Sequence, residues 1–98
     1  MTRPRCCYKI KFCPKIRCFK PEGVPADKIK TVLLTPEEAE ALRLKNIKDL
    51  DQTKAAEEMH ISQSSFQRIL SSAYKKVSTA LIEGKAITIV EQETITKE

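Results

Sequence analysis

Only three residues, His60-Ile61-Ser62, separate two segments that both read as helices. Asp51 offers an N-cap ahead of Gln52-Thr53-Lys54-Ala55-Ala56-Glu57-Glu58-Met59, and Ser62 opens a second periodic stretch. Helices joined that tightly cross steeply, so small and well-shaped residues must make their contact. Ala55 and Ala56 supply the close approach, and Met59, Ile61, Phe66 and Ile69 are expected to fill the wedge against a preceding helix. The corner position that most often holds glycine is His60 here, which predicts a histidine at positive φ. With no metal-ligating or catalytic partner near it in sequence, His60 reads as a turn residue.

Capping signals place the other elements around this corner. Thr35-Pro36-Glu37-Glu38 joins an N-cap threonine, a proline at the first helical position and the glutamate of a capping box. The helix it starts is expected to turn Ala39, Leu42, Leu44 and Ile47 inward and to end near Asn46 to Lys48. The helix from Ser62 is expected to reach Ile82 or Glu83, with Phe66, Ile69, Leu70, Ala73, Val77, Ala80 and Leu81 as one apolar stripe and Gly84 as its stop. Tyr8 to Phe12, Val32 to Leu34 and Ala86 to Val90 read as short strands. Phe19 to Pro25 reads as an ordered turn, because its apolar residues need cover. The expected fold class is mainly α with short β segments, in three parts. These are a basic, cysteine-containing arm over 1–31, a three-helix helix-turn-helix core with a C-terminal strand over 32–90, and a flexible tail over 91–98.

Ninety-eight residues are enough for one modest core, not for a core with a deep substrate cleft. No apolar run approaches the roughly 20 residues of a membrane span, and no apolar signal core follows Arg3 and Arg5. The expectation is a cytoplasmic protein with no membrane contact. A single histidine sited in a turn, with no glycine-rich phosphate loop and no nucleophile–base pair, argues against an enzyme.

The net charge of +5 is unevenly spread. Residues 1–20 carry seven bases and no acid, whereas residues 21–60 carry six bases and nine acids. Residues 61–82 then hold Arg68, Lys75 and Lys76 without an acid. A solvated helical face usually mixes both signs, so acid-free blocks point to a polyanionic partner; basic clusters that only keep the chain dispersed are the bland alternative. Double-stranded DNA is the partner expected from the helical corner. Gln63, Ser64, Gln67, Arg68 and Ser71 lie opposite the apolar stripe, where the first turns of such a helix meet base edges in a major groove. Glutamine suits adenine and arginine suits guanine. Ser62 and Ser65 are placed to donate to phosphate, with Lys75 and Lys76 further along the backbone and Arg3 and Arg5 on the arm.

Two resemblances sharpen this expectation. Residues 35–84 resemble the promoter-reading helix-turn-helix of sigma factors, through Gln52-Thr53-Lys54-Ala55-Ala56-Glu57, Ser62 and Arg68. Residues 2–90 resemble a family of small uncharacterised bacterial and archaeal proteins expected to bind DNA. Arg3-Pro4-Arg5, Phe19-Lys20-Pro21 with Gly23 and Pro25, Leu34-Thr35, Glu40-Ala41-Leu42-Arg43-Leu44 and Leu81-Ile82-Glu83-Gly84-Lys85-Ala86 carry that likeness. The resemblance implies a winged-helix-like or sigma-type domain and DNA binding; the function expected from it together with the helical corner is that of a sequence-specific transcriptional regulator. The rival readings are a module that docks on the transcription machinery and a zinc-stabilised adaptor. One helix-turn-helix contacts few base pairs, so a homodimer is a hypothesis the sequence raises without fixing the oligomeric state, with the third helix and segments 8–12 and 86–90 as candidate surfaces.

Cys6, Cys7, Cys13 and Cys18 all fall in the basic arm. Zinc takes four such ligands, but no Cys-x-x-Cys spacing occurs and neighbouring Cys6 and Cys7 point apart on a strand. Reduced thiols without a cofactor are the favoured reading, zinc the alternative. Protein purified without chelator is expected to contain well under one zinc per chain by elemental analysis; stoichiometric zinc would reverse that preference.

Overall fold

The structure, a computed structural model, describes residues 17–90. The expected strand at Tyr8–Phe12, the arm residues Arg3, Arg5, Cys6, Cys7 and Cys13, and the tail 91–98 lie outside the described residues. The chain is mainly helical with a small sheet. Its elements run β1 (Cys18–Phe19), a 3₁₀ turn (Ala26–Lys28), β2 (Thr31–Leu34), α1 (Pro36–Leu42), a π turn (Arg43–Ile47), α2 (Gln52–Glu58), α3 (Gln63–Glu83) and β3 (Ala86–Ile89).

The sheet has the order β1-β3-β2, with β1 antiparallel and β2 parallel to β3. A parallel pair needs a long crossover. Here the whole helical layer is that crossover, so the sheet clasps the start of α1 to the end of α3. Val32 stands beside Ile87 and Leu34 beside Ile89. Leu34, Ala39 and Ala73 form a small core, with Leu42, Val77, Ile87 and Ile89 packed against it. β1 is a two-residue edge strand that no periodicity announces, because two residues carry no period.

The second and larger core lies at the helical corner. Ala41, Leu44, Ala55, Ala56, Met59, Phe66 and Leu70 are buried together, and Leu42, Leu50, Ile61 and Ile69 pack against them. The caps form as their chemistry requires. Thr35 and Glu38 make a reciprocal capping box, the Asp51 side chain accepts from the Lys54 amide, and Ser62 accepts from the Ser65 amide.

Three expectations about packing need correction. Phe19 and Val24, expected to find cover in an ordered turn, are 55% and 36% exposed. Ile47 is not inward but 77% exposed. The end of the first helix is wound as a π turn, with the Lys48 amide donating to the Arg43 carbonyl at 2.9 Å. That i→i−5 bond accommodates an extra residue and swings Ile47 off the core-facing side. Leu81, placed on the apolar stripe, is 74% exposed. Ala80 keeps the buried position, and each further residue of an α-helix turns about 100°. The stripe therefore ends one residue earlier than its sequence pattern suggests.

His60 has φ +59°, as its corner position demands, and Gly84 ends α3 at φ +69°. A Cβ built on Gly84 meets nothing within 4 Å, so alanine there is penalised by backbone conformation alone. Gly84→Ala is expected to lower stability by about 1 kcal/mol in urea unfolding, whereas His60→Gly should raise it slightly, by less than about 1 kcal/mol because glycine also loosens the unfolded chain.

Candidate nucleic-acid interface

α3 is 21 residues long, and its two sides differ sharply. Phe66, Leu70, Ala73 and Ala80 are buried, while Gln63, Ser64, Gln67, Arg68, Ser71, Lys75 and Ser78 are exposed. Ser64, Arg68, Ser71, Lys75 and Ser78 recur at steps of three and four, so they share one side of the helix. No acid lies between Ile61 and Ile82. Arg68 borders a shallow groove formed with Thr35, Glu37, Glu38, Ile69 and Ser72. Neither Arg68 nor Lys75 makes an ion pair among the described residues.

The serines at the start of α3 are engaged with one another. Ser62 Oγ accepts from the Ser65 amide at 3.1 Å and donates to Ser65 Oγ at 3.0 Å, with Ser64 Oγ 3.4 Å away. The first hydroxyl is thus used in capping. At the mouth of the corner, the Thr53 hydroxyl of α2 donates to Gln63 Oε1 at 3.4 Å.

Lys76 has a different setting from Lys75. Its Nζ lies 2.9 Å from Glu38 Oε1. Glu38 is only 6% exposed, and it also accepts from the Thr35 amide and from the Ser72 hydroxyl. One carboxylate therefore caps α1 and ties it to the middle of α3. Burial pushes the Glu38 pKa up, but the hydrogen bonds from Ser72, Lys76 and the Thr35 amide, with the Lys76 charge, outweigh it and hold the carboxyl below its ordinary value. Sequence spacing cannot pair Glu38 with residues 34 and 38 positions away, although the capping box half of its role is legible.

A second buried carboxylate, Glu40, is 1% exposed and takes two hydrogen bonds from the Arg43 guanidinium, at 3.0 and 2.9 Å. Those bonds, working against burial and joined by the charges of Glu40 and Glu58, raise the Arg43 pKa above its ordinary value. The i, i+3 spacing is the signal that could have found this pair. Asn46, at the π turn, exchanges hydrogen bonds with the Tyr74 hydroxyl at 3.0 and 3.2 Å, fixing the other flank of α3.

Cys18 is exposed on β1, with the Thr88 hydroxyl 3.6 Å from its sulfur. Among the described residues, no three His, Cys, Asp or Glu side chains are grouped to hold a metal ion. No described helix is long and apolar enough to cross a membrane.

Against known proteins, the model of a family described as "Protein of unknown function DUF134" matches residues 1–97. The chain belongs to this family. Similar proteins include a UPF0251 protein of Prosthecochloris aestuarii, 45% identical over 87 residues that cover 89% of this chain and 56% of that one. A UPF0251 protein of Halothermothrix orenii is 47% identical over 87 residues, covering 89% and 64%. One from Dehalococcoides mccartyi is 47% identical over 89 residues, covering 91% and 76%. The chain thus spans between about half and two thirds of the length of the first two. No solved structure matches it.

Replacing Glu38 with Gln is expected to cost about 1–2 kcal/mol at neutral pH, since charge-assisted bonds are lost while an amide can still cap. Because the folded pKa lies below the unfolded one, this contribution is complete above the ordinary value of 4.5 and is lost as pH falls through the lowered folded value. Urea midpoints of the two proteins should therefore converge in acid; a gap that stays constant from pH 7 into strong acid would contradict the brace.

Proposed function

We propose that this chain binds double-stranded DNA through the outward side of α3, as a transcriptional regulator that reads the major groove. The observation that carries the reading is the acid-free, solvent-facing row of Ser64, Arg68, Ser71 and Lys75, with Gln63 and Gln67 beside it. On this reading α2, the corner at His60 and α3 form a helix-turn-helix, in which the second helix enters the groove by its first turns; the short link and the buried alanines of α2 support it. The α3 residues that would meet base edges are Gln63, Gln67 and Arg68. Ser64, Ser71 and Lys75 would serve phosphates. Lys76 contributes less, because its ammonium is already paired with the Glu38 carboxylate. Ser62 and Ser65 act mainly by holding the helix start.

A second reading has its own support. Leu81 and Ile82 stand 74% and 84% exposed at the far end of α3. Exposed apolar pairs of this kind favour a protein contact, either with a second copy of the chain or with the transcription machinery.

Salt separates the two. A DNA complex made by phosphate contacts should weaken steeply as salt rises, by about 0.9 in log K per log unit of salt for each phosphate engaged. Arg68→Ala is expected to cost about 1–3 kcal/mol on a selected site, and Lys75→Ala to flatten the salt slope by about one contact. Fluorescence anisotropy on labelled duplexes measures both; salt-independent affinity with no effect of Arg68→Ala would discard the DNA reading in favour of the protein contact.

A further inference from the structure

β1 runs against β3 with Cys18 beside Thr88 and Phe19 beside Ile87, and the Ile89 amide donates to the Arg17 carbonyl at 2.7 Å. β2 runs along the other side of β3, with Leu34 beside Ile89 and the Val90 amide donating to the Leu34 carbonyl at 2.8 Å. Arg17 and Leu34 therefore stand level at one end of the sheet, two strand spacings or about 10 Å apart. Thr35 follows Leu34 directly and lines the groove that Arg68 borders on α3. Because β1 is antiparallel to β3, the chain before Arg17 enters the sheet at this end and not where Ala86 pairs with Thr31, beside the end of α3. The register thus brings the root of the N-terminal arm to the flank of α3 that carries Arg68.

Residues 1–16 lie outside the described residues, and their sequence holds Arg3, Arg5, Lys9, Lys11 and Lys15 with no acid. Arg5 precedes Arg17 by twelve residues, which can span at most about 40 Å. A minor groove next to an occupied major groove is centred roughly 17 Å away, half of a duplex turn. The arm is long enough. Arg3-Pro4-Arg5 sets two guanidinium groups about a proline, which lacks an N–H and disfavours helix in the residue before it. Such a stretch suits the minor groove, about 6 Å wide, rather than the wider groove that admits a helix. A narrow, A·T-rich minor groove also concentrates negative potential, which attracts arginine. We propose that the arm is a second DNA-reading element, with Arg3 and Arg5 in the minor groove beside the major groove held by α3, where they select A·T pairs. Lys9, Lys11 and Lys15 lie on the phosphates between the two grooves. This rests on the DNA reading above and deepens it, since it assigns the site a second groove and a flanking base composition.

The test uses the full chain and a duplex that it selects from a random pool, which should carry A·T pairs beside the α3 site. Those flanking pairs are then exchanged. Diaminopurine with thymine puts an amino group into the minor groove and keeps the major-groove edge of adenine; inosine with cytosine keeps the major-groove edge of guanine without that amino group. In fluorescence anisotropy, the wild type should bind about tenfold more weakly with diaminopurine or guanine in the flank, within the range of one mismatched pair, and should bind the inosine flank like adenine. Arg3→Ala/Arg5→Ala should bind all four flanks alike. Arg68→Ala should bind more weakly yet still discriminate among them. Wild-type indifference to the flank overturns the inference, as does discrimination that survives in the double variant. So does a wild type that treats inosine as poorly as guanine, which would place the contact in the major groove. A wild-type chain that enriches no duplex at all would instead sink the DNA reading itself, and this inference with it.

Discussion

The approach of α2 to α3 is set by two alanines, and nearly everything else in the molecule follows from it. Ala55 and Ala56 are 0% and 3% exposed, in the same core as Phe66 and Met59, both fully buried. A larger residue at either alanine would push the helices apart and open a void around the phenyl ring. Close-packed cores relax only in part around such changes, which is why they are felt far from the site of substitution. The corner also has no slack. The Ile61 amide donates to the Ala56 carbonyl and the His60 amide to the Glu57 carbonyl, at 3.0 and 3.1 Å, so the turn is stitched to the end of α2. His60 accepts an unfavourable backbone conformation to make this possible.

Polar chemistry does a complementary task at the opposite side of the bundle. At the Thr35 end Ala39 of α1 and Ala73 of α3 share the small core, and Glu38 adds a polar tie between the same two helices. Burying a carboxylate is costly unless hydrogen bonds replace its water. Glu38 has three donors, from the Thr35 amide, Ser72 and Lys76, and is held ionised by them. Asn46 and Tyr74 brace the opposite flank. α3 is thus gripped by apolar contact beneath and by hydrogen bonds on both sides, which leaves its outer surface free of structural duty.

Local chemistry made much of this readable in advance. Thr35, Asp51 and Ser62 each cap the helix they precede, Gly84 ends α3, and His60 carries the positive φ that its place in the corner requires. These are decided within a few residues, so a sequence displays them. What was not readable depends on distant partners or on a subtle change of winding. Nothing near Glu38 announces Ser72 or Lys76. The π turn arises where α1 must reach the sharp link at Asp49, itself at φ +60°, and its effect on Ile47 cannot be seen in a pattern that assumes 3.6 residues per turn. The outward residues of α3 followed from the periodicity of its buried ones. The Thr53 partner of Gln63 did not, since ten residues and a corner lie between them.

The proposed recognition by the outer row of α3 depends on the rotational setting of that helix. Phe66, Leu70, Ala73 and Ala80 fix the helix at four points along its length. Turning it by one residue would bring Gln67 or Lys76 under the core and expel Phe66, so no neighbouring setting competes with the observed one. A side chain that reads a base must be held to within a fraction of an ångström, and helices position side chains better than loops do. The same constraint explains why α3 can present several serines, residues of only middling helix propensity, over its first turns. The stability of the helix comes from the buried side, so the composition of the exposed side is free to be set by what it binds. Past Ala80 that division of labour ends. Leu81 and Ile82 are apolar yet 74% and 84% exposed, so the two-sided pattern that orders the rest of α3 does not extend to its last residues.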